Sequence, residues 1–381
     1  MTMAAPSAIL ASHARKAIAA LALAGLALAG CSTSATAPAA QDAAAQPAQS
    51  AQAAQSALPS WRDGAARQAL LKFVADVTRP GSPAFVPPEE RVAVFDNDGT
   101  LWSEQPLYFQ FFFLLDQVRA AAPQHPEWRS NPAFKALMAN DMQGLMRNEK
   151  ALAALVAKAN SGMTVDEYDR TIRDWLAKSR HPKFNRPYTE LVYQPQLELL
   201  SYLRANGFKT YIVSGGTIDF MRPWSQAIYG IPPEQVIGSS QAVRYQVRDG
   251  KPVLVRDPKL DFVDDGPGKP VGIYRHIGRR PILAVGNSDG DLQMLEYTTG
   301  GDGPRLAVLV HHDDAEREFA YDRQSRVGKL DKALDAARAR GWTVVSMKRD
   351  WLQVYPANKR PASHDHAYQQ QAGSKPTVTG Q

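Results

Sequence analysis

Four short, unbroken apolar runs punctuate the chain: Val92-Ala93-Val94-Phe95, Thr210–Val213, Ile282–Val285 and Leu306–Val310. None alternates with polar residues, the pattern expected of parallel strands buried on both faces. Three of the four end in small polar or acidic residues: Asp96 after the first, Ser214-Gly215-Gly216 after the second, Gly286-Asn287-Ser288 after the third. The fourth runs into His311-His312. Helical spacing of apolar residues fills the intervals. Trp61 to Thr78 predicts an amphipathic helix stopped by Arg79-Pro80-Gly81, and Gln194–Asn206 predicts another ending at Gly207. Strand, helix and strand in succession imply right-handed crossovers and an α/β, Rossmann-like, doubly wound parallel sheet. In such a sheet ligands bind beyond the carboxyl ends of the strands, so the polar tips should converge on one crevice.

Two segments break this rhythm. Residues 106–189 carry helical periodicity at Leu107–Val118, Ala133–Met138, Glu149–Ala159 and Val165–Leu176, the last behind the capping box Thr164-Val-Asp-Glu167. So long an interval between the first and second strands exceeds a crossover, and it predicts an inserted helical cap domain. Residues 240–256 alternate like a strand pair around Asp249-Gly250, a hairpin turn, and read as either a flap or an ornament. The folded part therefore divides into a core at 61–105, the cap at 106–189 and a second core segment at 190–355 that contains the hairpin.

Composition changes the picture at the ends. Residues 1–30 join a basic start (His13, Arg15, Lys16) to an apolar stretch, Ala17 to Ala29, shorter than the roughly 20 residues a membrane span needs. They read as an export signal. Leu28-Ala29-Gly30-Cys31 resembles the lipobox of bacterial lipoproteins, which implies a lipid on Cys31 and cleavage before it. Cys31 is the protein's single cysteine, so no intramolecular disulfide can form. Ser32 in place of aspartate implies, by the same resemblance, an outer-membrane protein facing the periplasm. Residues 31–60, almost all Ala, Gln, Ser, Thr and Pro, predict a disordered tether, and 356–381 a loose tail. Loss of Arg15 and Lys16 with the signal lowers the formal charge from +6 to +4. That surplus is mild and unclustered, which argues against nucleic-acid binding.

The chemistry begins at Asp96-Asn97-Asp98. In extended backbone, residues two apart point to one side, so both carboxylates can face one reaction centre. Such pairs serve catalysis when their environments drive their pKa values apart. The fragment alone is equally compatible with a surface Asp-Gly turn. In order along the chain, Asp96-Asn97-Asp98-Gly99-Thr100-Leu101 resembles the first motif, DxDGT, of the haloacid dehalogenase superfamily, and Val213-Ser214-Gly215-Gly216 its second. Lys269 falls where the third-motif lysine is expected, and Gly286-Asn287-Ser288-Asp289-Gly290-Asp291 resembles the acidic fourth motif. The resemblance covers roughly residues 88 to 350 and leans toward the phosphoserine-phosphatase-like branch.

That resemblance implies a metal-dependent phosphatase acting on a small phosphomonoester. Asp96 would be the nucleophile that forms an aspartyl-phosphate, and Asp98 the general acid and base. A dehalogenase has no use for the second acid. Ser214 and the amides of Gly215-Gly216 would hold phosphate oxygens, and Lys269 would neutralise nucleophile and phosphate. Its competing reading is a solvated loop lysine like Lys251 and Lys259. Magnesium, or another divalent cation, would be held by the Asp96 side chain, the Asp98 backbone carbonyl, Asn287 and Asp291. Asn287 departs from the family's acid and brings no charge, and Asp289 is a potential substitute. Trp102 and Glu104 are placed to meet the far end of a substrate, where a carboxylate beside an aromatic would suit an amine. The stripe Tyr108, Phe109, Phe111, Phe112, Phe113 reads as cap core, His311-His312-Asp313-Asp314 as a sheet-rim loop, and His364-Asp365-His366 as solvated tail. The alternatives left open are phosphotransfer to an acceptor alcohol and a catalytically reduced, ligand-binding lipoprotein.

Overall fold

The computed structural model describes residues 57–357; the predicted signal, Cys31, all but the end of the tether, and the tail from residue 358 lie outside them. The core is a seven-stranded sheet of β1 (Val92–Phe95), β2 (Lys209–Thr217), β3 (Val236–Arg248), β4 (Lys251–Phe262), β5 (Leu283–Gly286), β6 (Leu306–His311) and β7 (Thr343–Ser346). Its order is β4-β3-β2-β1-β5-β6-β7. Every neighbouring pair runs parallel except β3 and β4. β1 is central, with Phe95 opposite Ile212 on one side and Val285 on the other.

The unbroken apolar runs have a direct cause: each strand buries both faces. Val92, Val94, Val213, Ala284 and Leu309 pack with Ile273, Leu295 and Leu334, from the helices Gly268–Ile277, Leu292–Thr299 and Lys332–Arg340. The alternate residues Ala93, Phe95, Ile212, Val285 and Val310 pack on the other side with Leu70, Leu200 and Phe220, from Ala65–Thr78, Gln194–Ala205 and Ile218–Tyr229. Trp61, expected within the first helix, precedes it and instead pairs with Trp351, the two rings meeting edge to face at 6.0 Å.

Between β1 and β2 lie the helices Phe109–Ala121, Pro132–Met138, Met142–Arg147, Glu149–Ala159 and Val165–Lys178. The last starts at the predicted capping box, Thr164 and Glu167 each accepting the other's backbone N–H. This segment keeps a small core of its own around Leu115, Trp128, Leu137 and Leu152. Phe113, Ile172 and Trp175 nevertheless join the main core, which holds it against the sheet. The β3–β4 hairpin is longer than expected and ties the two parts together. Arg256 donates its backbone N–H to Met163 at 2.9 Å, and Val255 pairs with Thr164.

Candidate active site

The end of β1 turns sharply because Asn97 turns inward. Its backbone carbonyl accepts the N–H groups of Thr100, Leu101 and Trp102, and Gly99 donates to the Trp102 carbonyl at 2.8 Å. Gly99 holds a φ of 76°, and a β-carbon there would collide with both Asn287 and Glu104. Only glycine satisfies both demands. The turn projects Asp96 and Asp98 into one cavity of about 370 Å³, lined also by Glu104, Tyr108, Gln110, Phe111, Leu114, Ser214–Thr217, Val263, Asp265, Lys269 and Ser288.

Lys269, in the first turn of Gly268–Ile277, is 2% exposed, so the solvated-loop reading fails. Its ammonium donates to Asp96 Oδ1 and Asp291 Oδ1 at 2.6 Å each and to the Val213 carbonyl at 3.0 Å. The two carboxylates raise its pKa, against burial, and keep it charged. Burial pushes the Asp96 carboxyl well above the usual range, the charge of Asp291 adds to this, and Lys269 opposes it. Asp98 is raised to about 6, again chiefly by burial, with a hydrogen bond from Trp102 and the charge of Lys269 acting the other way. The two acids thus sit in distinct environments: one against a cation, the other titrating near pH 6.

Several residues are placed differently from expectation. Trp102 does not meet the cavity. Its ring is fully buried, stacked on Trp224 at 4.4 Å, and its Nε1 donates to Asp98 Oδ1 at 2.7 Å. It orients the acid instead. Glu104 does line the cavity, but at 1% exposure its Oε1 already accepts from Asn287 Nδ2 (2.7 Å) and Tyr321 (2.8 Å), and burial holds its pKa well above normal. Asp289 does not face the cavity centre as a substitute ligand: its Oδ1 accepts the N–H groups of Asp331 and Ala333 at 2.9 Å. His312 is buried rather than a rim residue. Its Nε2 meets the Gly99 carbonyl at 2.7 Å, its other nitrogen lies 3.4 Å from Glu318, and its ring stacks on Tyr321. Tyr108 and Phe111 line the cavity, whereas Phe109 and Phe113 are core.

Ser214 is buried, and its Oγ accepts from the Gly216 N–H at 3.1 Å. The helix that follows this turn starts at Ile218. Gln110, which the sequence pattern did not single out, clasps the rim: its side chain accepts from the Thr217 N–H at 2.9 Å and donates to the Thr217 hydroxyl at 2.8 Å.

Among the described residues, no three of His, Cys, Asp and Glu converge on a metal position. The acids and amides that resemblance nominates fit a hard cation unequally. Lys269 engages one oxygen of Asp96 and leaves the other without a protein partner among the described residues. Asn287 offers an amide oxygen now held by Thr100 at 3.0 Å. Asp291 is fully engaged: Oδ1 by Lys269, Oδ2 by the N–H groups of Asn287 and Ser288 at 2.9 and 3.0 Å. It anchors the loop and the lysine rather than offering an oxygen. The remaining donors, Asp96, the Asp98 carbonyl and Asn287, are all oxygen, which suits magnesium.

No curated protein matches the chain at a significant level. It is similar to a solved, functionally unknown protein from Anaerococcus prevotii DSM 20548 at 18% identity, over 74% of this chain and 90% of that one, with a TM-score of 0.45. A protein of unknown function from Bordetella pertussis Tohama I is 17% identical over 67% and 98%, with a TM-score of 0.42. A phosphoserine phosphohydrolase-like protein from Francisella tularensis subsp. tularensis SCHU S4 is 16% identical over 68% and 95%, with a TM-score of 0.36. The family model for haloacid dehalogenase-like hydrolases matches residues 93–296, more than half of the chain and the whole span from Asp96 to Asp291. The chain therefore belongs to the haloacid dehalogenase-like hydrolase family.

Proposed function

We propose that the protein is a metal-dependent phosphatase that hydrolyses a small phosphomonoester through an aspartyl-phosphate on Asp96. One observation carries this reading: Asp96, paired with Lys269 at 2.6 Å, and Asp98, with a pKa of about 6, face the same cavity. In the first step an Asp96 oxygen attacks phosphorus, the P–O bond to the alcohol breaks, and Asp98 gives its proton to the departing alkoxide. In the second, Asp98 takes a proton from water, whose oxygen attacks phosphorus and releases Asp96. Ser214 and Gly215 border the phosphate position, and the fixed Lys269 ammonium offsets the charge that collects there. Asp96, the Asp98 carbonyl and Asn287 would hold magnesium, which supplies further neutralisation of the phosphoryl oxygens. With one formal charge in that set, the ion should be held more loosely than by two acids.

The signal-like pattern of residues 1–30 and Cys31 support a location as well: a lipid-anchored protein of the cell envelope, on the outer membrane and facing the periplasm. The test is phosphate release from a panel of phosphomonoesters, with magnesium and with chelator, by the protein and by Asp96→Asn. Metal-dependent release that the substitution abolishes is expected; no release from any ester, with the substitution silent in binding as well, overturns the reading. Alcohol phosphates formed when acceptor alcohols are added would turn the assignment to transfer. For the anchor, Cys31→Ala should release the protein from membranes, and unchanged membrane association would refute it.

A further inference from the structure

The cavity wall carries a second kind of information, about the alcohol rather than the phosphate. Of its charged residues one is cationic, Lys269, and both carboxylates that it meets already occupy it. Among the described residues, no arginine, histidine or second lysine lines the cavity. A substrate with a carboxylate or a second phosphate on its far side would find nothing to pair with, and would meet Asp265 as well.

Asp265 differs from the other acids of the wall. Asp96 is tied to Lys269, Asp98 to Trp102, and Glu104 to Asn287 and Tyr321. The Asp265 side chain is exposed and has no hydrogen-bond or ion-pair partner among the described residues. It stands beside Gly215, its carboxylate 3.5 Å from where a β-carbon on that glycine would lie. The free charge is therefore at the edge of the phosphate-binding turn. The same cavity is lined by Tyr108, Phe111, Leu114 and Val263, an apolar and partly aromatic surface. A free carboxylate with aromatic faces in one cavity is the arrangement that recognises an organic ammonium group.

Building on the phosphatase reading, we propose that the substrate is a phosphomonoester of a short amino or quaternary-ammonium alcohol, with Asp265 pairing its cationic head and Tyr108 and Phe111 covering it. Specificity against anionic esters follows from the same wall, because a second anion would be buried without a partner. Glu104, which the sequence pattern nominates for the amine, is displaced from that role by its two hydrogen bonds and its burial.

The test uses three esters of similar size: a trimethylammonium-ethyl phosphate, n-propyl phosphate and phosphoglycolate. For the full chain with magnesium, kcat/KM should favour the cationic ester over the neutral one by about 10-fold, the order expected of a partly desolvated cation between a carboxylate and an aromatic ring, with phosphoglycolate last. Asp265→Asn should compress the cationic-to-neutral ratio about 3-fold or more, and Asp265→Lys should move phosphoglycolate above the cationic ester. Equal preference for all three, a preference for phosphoglycolate, or a ratio unmoved by Asp265→Lys overturns the proposal. Equilibrium binding of the three esters to Asp96→Asn separates this failure from that of the underlying reading. Discrimination in binding without turnover by the unmodified protein keeps the ammonium site and removes the phosphatase; turnover without discrimination does the reverse.

Discussion

Asp264 offers a sharp test of how this site stores charge. It is fully buried behind the cavity, next in sequence to the free Asp265. Its backbone N–H donates to Ser239 Oγ at 3.0 Å, but among the described residues neither carboxylate oxygen has a hydrogen-bond partner of good geometry. Burial pushes its pKa up to about 7 from an ordinary value of 3.8; Asp265 adds to the rise, while Lys269 and the nearby Ser214 amide oppose it. A carboxyl whose folded pKa is raised contributes stability that is fully present below the unfolded pKa and is lost as pH climbs through the folded one. Roughly three units at about 1.4 kcal/mol each make that loss about 4 kcal/mol between pH 4 and pH 8. Asp264→Asn removes the titration but leaves a neutral amide buried, at a pH-independent cost of about 1–3 kcal/mol. Urea unfolding should then find the variant less stable than the parent at pH 4 by about 1–3 kcal/mol and more stable at pH 8 by a similar amount. Because every other acid titrates in both proteins, the difference between the two curves isolates Asp264. A deficit of the same size at both pH values would refute the reasoning.

In the proposed mechanism Asp98, raised to about 6, would be protonated for departure of the alcohol and ionised for hydrolysis. Formation of the phosphoenzyme in a rapid-mixing experiment should therefore slow as pH rises through 6 while its breakdown accelerates, and Trp102→Phe should move both inflections up by about one unit through loss of the indole hydrogen bond; parallel profiles would contradict the assignment. Lys269→Met strands Asp96 and Asp291 in the interior and should cost about 3–5 kcal/mol in urea unfolding, of which Asp291→Asn in the same chain restores a measurable part. Strict additivity of the two substitutions would deny their coupling. Arg256, 3% exposed, pairs with Asp219 at 3.1 Å and lies 3.4 Å over the Tyr168 ring. Arg256→Ala should destabilise by about 3 kcal/mol and lower amide-exchange protection in Val165–Lys178 more than in β1, and equal protection loss in both would show that the hairpin does not strap that helix.

The central strands and the helix at Val165 were legible because their causes are local. A strand covered on both faces leaves an unbroken apolar run, and a capping box needs only Thr164 and Glu167. The strand ends were legible for a similar reason: a parallel sheet delivers each polar tip to one edge, so Asp96 and Ser214 could be grouped from their order alone, whereas Lys269, in the first turn of a helix, was placed only by the family resemblance. Misplacements arose where one residue type serves two local structures. Asp289 in an acidic loop can ligate or cap, and the helix that it caps starts more than forty positions later. His312 beside His311 matches a rim pattern until Gly99, 213 positions earlier, accepts its hydrogen bond.

The residues that define this site most closely are those that pair farthest along the chain. Asn287 reaches Glu104 across 183 positions, and Tyr321 reaches the same oxygen across 217. Gly328, with a φ of 64°, leaves room that a β-carbon would take from Glu104. These contacts explain one another. An acid in place of Asn287 would set two carboxylates against each other inside the protein, whereas the amide donates to Glu104 through Nδ2 and accepts from Thr100 through Oδ1. Judged beside its own motif, Asn287 would be a weakened cation ligand; judged beside Glu104, it is the side chain that a buried acid requires. The change at the fourth motif and the glutamate after the first are thus one adjustment in two places. It would take negative charge away from the proposed metal position.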